Sequence, residues 1–276
     1  MTGWDLCRCP VCGGPVSQQG RTLRCERGHS FDLSAEGYVN LLQNAKAETG
    51  DGREMVAARR RFLEGGYYAC LRDTLADLAE KFTGGREHPA FFDTGCGEGY
   101  YTAGVFGRLC RPGRGPAAVG FDLSRTAVRL AARRKSGACF AVAGIFDLPV
   151  RDGCADMVLS VFAPVAGAEF ARVLRPGGCL IVAAPGPRHL FGLKEVLYDR
   201  PYENEEAQFS IPGMRQTDIV RVGRTVHLTG AQAVRDLFAM TPYFWHTPAD
   251  GIRRLEGVSK LETPAEFSVH VLTRAG

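Results

Sequence analysis

Hydrophobic positions follow two rhythms along the chain. Over residues 53–82 they recur at helical spacing, at Met55, Ala58 and Phe62 and then at Leu71, Leu75, Leu78, Ala79 and Phe82. Gly65-Gly66 breaks that run. From residue 90, short apolar runs alternate with helical stretches. Ala90-Phe91-Phe92-Asp93 reads as a strand ending in a glycine-rich turn, and 117–121 as a second strand ending at Asp122. Residues 124–135 read as a helix with Ser124 as its N-cap. Further strands are expected at 139–142, at 155–161 and, after a Pro176-Gly177-Gly178 turn, at 179–184. A helix is expected over 230–240. A last, antiparallel strand is expected over 266–273, where Phe267, Val269 and Val271 alternate. This order predicts an α/β fold, a parallel sheet covered on both faces. Residues 41–53 read as an exposed polar connector. Residues 199–217 are polar and turn-rich, and no element is assigned to them.

Residues 1–40 are different. They are rich in Cys, Gly and turn formers and poor in apolar residues, so they cannot bury a core of their own and need a staple. The expected division is therefore a module at 1–40, a helical linker at 41–82 and a main domain at 83–276. No run approaches the ~20 apolar residues of a membrane helix. The first residues lack the apolar core of a secretion signal, so a cytoplasmic protein is expected.

Composition adds little except at cysteine. The chain has 276 residues, 45% hydrophobic and 23% charged, and a net charge of +4. That charge is too mild to demand a nucleic-acid partner. The local cluster Arg59-Arg60-Arg61 lies in a helix, where three consecutive residues cannot share one face. Of ten cysteines, four crowd the N-terminus at Cys7, Cys9, Cys12 and Cys25. Cys9-x2-Cys12-x12-Cys25-x3-His29 offers two knuckles of soft ligands, as a closed tetrahedral zinc site requires. Pro10 and Gly13-Gly14 supply the turn of the first knuckle, and zinc binding would supply folding energy. Cys7 is read as a bystander.

Asp93-Thr94-Gly95-Cys96-Gly97-Glu98-Gly99 follows one strand, and Asp122, with Leu123 after it, ends the next. A carboxylate at that point can hold a ribose diol. Gly95, Gly97 and Gly99 allow close backbone approach. Asp93 and Glu98 would repel a pyrophosphate, whereas an amino-acid ammonium would favour Asp93. A ligand with a ribose, an amine and no phosphate is S-adenosylmethionine; a dinucleotide is the competing reading. Phe162-Ala163-Pro164 lies past another strand, at the carboxyl end of the sheet. Phe162 can stack on a flat substrate, and Pro164 fixes its loop.

With DTGCGEGYYT, Asp122 and Arg175-Pro176-Gly177-Gly178, the chain resembles class I S-adenosylmethionine-dependent methyltransferases. CPVCGG with Cys25 and His29, FDLSAEGYVNLL, GYYACLRD, FAPV, GPRHL and MTPYFW narrow the resemblance to the RlmA family, the 23S rRNA guanine-N1 methyltransferases. It implies a Rossmann-like sheet with a small N-terminal zinc module, a homodimer, and methylation of guanine N1 in a domain II hairpin of 23S rRNA. One branch of the family is linked to macrolide-type antibiotic resistance. The resemblance puts zinc on Cys9, Cys12, Cys25 and His29, and the donor on Tyr68, Gly95 to Glu98, Asp122 and His189. One departure is Gly144, where related enzymes often carry an acid for the adenine amine; the Ile145 backbone is the substitute expected here. Guanine N1 lies on the Watson–Crick edge, so the base must be unpaired or flipped. Phe162, Tyr100 and Tyr101 are candidate stacking residues, and Arg8, Arg21, Arg24 and Arg27 candidate phosphate contacts. A small-molecule methyltransferase with a structural zinc module is the alternative.

Overall fold

The computed structural model describes residues 2–43, 52–83, 85–113 and 115–276. Three short strands, β1 (Val16–Gln19), β2 (Thr22–Cys25) and β3 (Ser30–Asp32), form a small antiparallel sheet. Eight strands form the large one: β4 (Val39–Asn40), β5 (Ala90–Thr94), β6 (Ala117–Asp122), β7 (Cys139–Val142), β8 (Ala155–Val161), β9 (Leu174–Pro185), β10 (Met214–Thr229) and β11 (Lys260–Arg274). Their order is β10-β11-β9-β8-β5-β6-β7-β4. The strands from β4 to β9 pair in parallel, and β11 runs antiparallel to both its neighbours.

The helices are α1 (Arg53–Glu64), α2 (Ala69–Thr83), α3 (Tyr100–Leu109), α4 (Arg125–Arg133), α5 (Gly167–Val173), α6 (Phe191–Leu197), α7 (Ala231–Ala239), α8 (Tyr243–His246) and α9 (Ala249–Glu256). Alternation along β5 shows the two layers. Phe91 packs with Phe62, Leu71, Leu75 and Val105 on one face, and Phe92 with Val119, Phe121 and Phe170 on the other.

The expected cover on both faces is present, but the N-terminal module forms part of one layer. A 3-10 turn over Gly3–Leu6 buries Trp4 and Leu6 in the same cluster as Phe92 and Phe121. A Cβ on Gly3 would stand 2.3 Å from the Ala118 carbonyl oxygen, so only glycine lets this turn lie on β6. The Arg8 N–H donates to the Pro149 oxygen at 2.9 Å, and β4 pairs with β7. The module is thus stitched to the large sheet on both sides of its small sheet.

Three sequence readings change. β9 begins at Leu174 rather than after Pro176-Gly177-Gly178. Pairing jumps from Ala155–Leu174 to Met157–Cys179, so residues 175–178 bulge out of the ladder, with Gly177 at φ +75°. The unassigned segment ends in β10, whose residues are largely exposed along an edge and held by the ladder to β11. Of the connector at 41–53, residues 44–51 lie outside the described residues; Leu41 is buried, and its N–H donates to the Val142 oxygen at 2.9 Å.

Candidate donor site and metal centre

The ligand atoms of Cys9, Cys12, Cys25 and His29 all lie within 4.8 Å of one another. Cys9 Sγ is 3.6 Å from His29 Nδ1, and Cys12 Sγ is 3.3 Å from Cys25 Sγ. Thiolates 2.3 Å from a tetrahedral zinc stand about 3.8 Å apart, so the cluster fits that ion with no position left open. The backbone hydrogen bond from Gly14, with the Cys25 thiol, brings Cys12 down to about 6, so its thiolate forms readily at neutral pH. The Arg27 N–H donates to Cys25 Sγ at 3.3 Å. Cys7 is turned into the core, its Sγ 3.7 Å from the Gly3 oxygen, apart from the four ligands.

The glycine loop joins β5 to α3. Four of its amides are already engaged. The N–H groups of Gly95 and Cys96 both donate to the Phe121 oxygen, at 2.8 and 2.9 Å, and that of Gly99 to the Cys96 oxygen at 3.0 Å. The Gly97 N–H donates to Asp122 Oδ2 at 2.9 Å, and the Ser124 N–H to Asp122 Oδ1 at 2.8 Å. A pyrophosphate needs such amides pointing at it. Here four are committed, and three carboxylates stand beside them. The loop therefore suits a cation-bearing nucleoside and not a dinucleotide. Gly95 is required twice: φ is +82°, and a Cβ there would lie 2.5 Å from that of Ala163.

Asp93 is 1% exposed. It accepts from Thr102 Oγ1 at 2.5 Å, while its other oxygen, Oδ1, is buried without a partner. Burial, reinforced by the Asp122 charge, pushes its carboxyl up to about 7. An orphaned buried carboxylate oxygen is the feature an amino-acid ammonium would satisfy. Glu98 is also buried; its Oε2 is held by the guanidinium of Arg134, the residue after α4, and its Oε1 likewise lacks a partner.

At the carboxyl end of β8, Phe162 adopts φ +53°, a left-handed backbone unusual for a bulky residue. It is 44% exposed, and its ring lies 6.4 Å from that of Tyr68 and 6.1 Å from His189. The Tyr68 hydroxyl is 3.1 Å from His189 Nε2, whereas His189 Nδ1 is buried and unpartnered. Burial pushes His189 down to about 4, so it is neutral at pH 7. Pro164 is exposed, and Leu123 and Phe146 expose apolar side chains near Gly144. Tyr100 and Tyr101 are buried at the start of α3, so they pack there.

The structure gathers Tyr68, His189 and Phe162 into one aromatic group, and Asp93, Asp122 and the loop into one turn. The arginine cluster is engaged internally: Arg60 pairs with Glu64, Arg61 with Asp236, and Arg59 Nη2 reaches the Met240 oxygen at 3.5 Å. Sequence reasoning missed Arg134, Lys194 and Asn204. Lys194 falls at helical spacing with Phe191 and Leu197, the only hint that it faces inward.

A Rossmann-like sheet, a phosphate-averse glycine loop and a cluster of three cysteines and a histidine sized for zinc together define a methyltransferase carrying a zinc ribbon. Comparison agrees: residues 7–46 match the zinc-ribbon family described as RlmA, N-terminal, and residues 92–182 a methyltransferase domain. A 23S rRNA (guanine(748)-N(1))-methyltransferase of Streptomyces fradiae is 36% identical over 271 residues, 95% of each chain. A Bacillus subtilis relative named for 23S rRNA guanine-N1 methylation, without a position, is 33% identical over 275 residues, 96% of each. The chain belongs to the family of 23S rRNA (guanine-N1)-methyltransferases.

Proposed function

We propose that this chain transfers a methyl group from S-adenosylmethionine to N1 of one guanine in a domain II hairpin of 23S rRNA. The observation that carries the donor assignment is the loop in which four amides are committed and the buried atoms left without a partner are carboxylate oxygens, Asp93 Oδ1 and Glu98 Oε1. Bound there, the donor supplies a methyl already made electrophilic by its sulfonium. Asp122 holds the loop and the ribose together, since a carboxylate offers about four lone-pair sites. Asp93 takes the ammonium. Gly95, Cys96, Gly97 and Glu98 shape the turn, with Glu98 acting through Arg134. Leu123 flanks the adenine, and Tyr68 with His189 closes the end nearest Phe162.

Phe162 is the platform for the extruded guanine, fixed by Pro164 in the next turn. Holding both reactants in line is worth ~7–11 kcal/mol of the barrier. His189 is too weak a base to keep the N1 proton, which passes to solvent. Cys9, Cys12, Cys25 and His29 hold structural zinc, and Arg24 and Arg27 beside them meet RNA phosphates. Among the described residues no helix is long and apolar enough to cross a membrane. Action on ribosomal RNA places the work in the cytoplasm. A homodimer belongs to the same reading, and light scattering should find two chains per particle.

Calorimetry tests the donor assignment. S-adenosylmethionine should bind, NAD should not, and Asp122→Ala should weaken the donor. Binding of the dinucleotide alone would refute it.

A further inference from the structure

Behind the Tyr68–His189 pair lies a buried lysine. Lys194, on α6, is 0% exposed. Its ammonium donates to the Tyr202 oxygen at 2.8 Å and to Asn204 Oδ1 at 2.7 Å, and sits 4.1 Å from the centre of the Tyr202 ring. A buried ammonium whose direct hydrogen bonds go to neutral groups, with the Glu203 charge acting on it only without direct contact, is costly. Its chief partner, Asn204, reaches onward. The Asn204 N–H donates to the Pro187 oxygen at 2.8 Å, and its amide Nδ2 to the Gly186 oxygen at 2.9 Å and the His189 oxygen at 3.4 Å.

One side chain therefore bridges both ends of the 186–189 turn. That turn leads into Leu190, at φ +58°, a left-handed non-glycine residue. Such a conformation persists only where the surroundings over-determine it. The bridge does so immediately beside His189, together with β11, whose Glu266 and Pro264 oxygens accept from the Gly186 and Leu190 N–H groups at 2.8 and 2.7 Å.

We propose that Lys194 and Asn204 are positioning residues for the methyl donor: Lys194 fixes Asn204, and Asn204 clamps the 186–189 turn so that His189 meets Tyr68. This rests on the reading that Tyr68 and His189 border the donor.

Asn204→Asp tests it on the full zinc-loaded chain. The aspartate still accepts from Lys194, now as an ion pair, but offers oxygen instead of N–H to the Gly186 and His189 carbonyls. The charged hydrogen bond gained with Lys194 offsets the two bonds lost, so the melting temperature should hold. The Kd and KM for S-adenosylmethionine should rise about tenfold, because a loosened 186–189 turn must be ordered again for the donor to bind, while the KM for RNA stays. Lys194→Met should weaken the donor likewise. His189→Ala, measured in parallel, should weaken it at least as much. A parent-like donor Kd in Asn204→Asp, with His189→Ala impaired, overturns this proposal alone. A parent-like Kd in His189→Ala overturns it together with the donor boundary. Donor loss that comes only with a lowered melting temperature makes the pair structural and also overturns it.

Discussion

Tyr68 and His189 lie 121 positions apart, yet the Tyr68 hydroxyl stands 3.1 Å from His189 Nε2. Tyr68 comes from the turn between α1 and α2, and His189 from the turn after β9. Their contact ties a covering helix pair to the carboxyl end of the sheet, and the Phe267 ring, 4.8 Å from that of Tyr68, packs beneath. Tyr68→Phe leaves this packing and removes only the hydroxyl. His189 then loses its Tyr68 partner at Nε2. Stability should fall by ~1–3 kcal/mol in denaturant titration, and donor affinity should fall with it.

With Asp93 holding the donor ammonium as proposed, donor binding should depend on pH. An aspartate ordinarily titrates near ~3.9, and burial raises this one to about 7. The free protein therefore gains stability from the protonated form below pH ~4 and loses it as pH rises through 7. A cationic donor demands the ionised form. Affinity should rise between pH 6 and 8, with proton release visible in buffers of different ionisation enthalpy. Asp93→Asn should flatten that dependence; a slope unchanged in the variant would remove Asp93 from the site.

Removing zinc should act beyond the first 40 residues, because Trp4, Leu6 and β4 belong to the large sheet's packing. Chelation or Cys12→Ser should lower the melting temperature, by roughly 2–4 °C for each kcal/mol lost at this chain length. RNA methylation should disappear before donor binding does.

Phe162 invites a comparison of two truncations. Glycine normally destabilises relative to alanine, but at φ +53° the left-handed cost to an L residue of ~1–2 kcal/mol reverses the order. Phe162→Gly should thus be more stable than Phe162→Ala, and both should lose RNA methylation. Full activity in either would dismiss the stacking role.

Much of this was legible in the sequence because it is local. The four zinc ligands are set by spacing, and the strands at 139–142 and 155–161 match β7 and β8 residue for residue. The N-cap at Ser124 is likewise local, its Oγ accepting from the Ala127 N–H at 3.3 Å. What escaped is long-range. β10 carries Arg215, Asp218, Arg221 and Arg224 along an exposed edge and has meaning only through β11. Lys194 looks like any surface lysine until the 202–204 segment closes over it. The committed amides of the glycine loop, which decide between donor and dinucleotide, depend on the Phe121 carbonyl of the neighbouring strand.

The most direct test is nucleoside analysis by mass spectrometry of unmodified large-subunit RNA after incubation with this protein and S-adenosylmethionine. One N1-methylguanosine per RNA is predicted, absent with Asp122→Ala. No methylated nucleoside, or a methyl on another atom or base, would contradict the account.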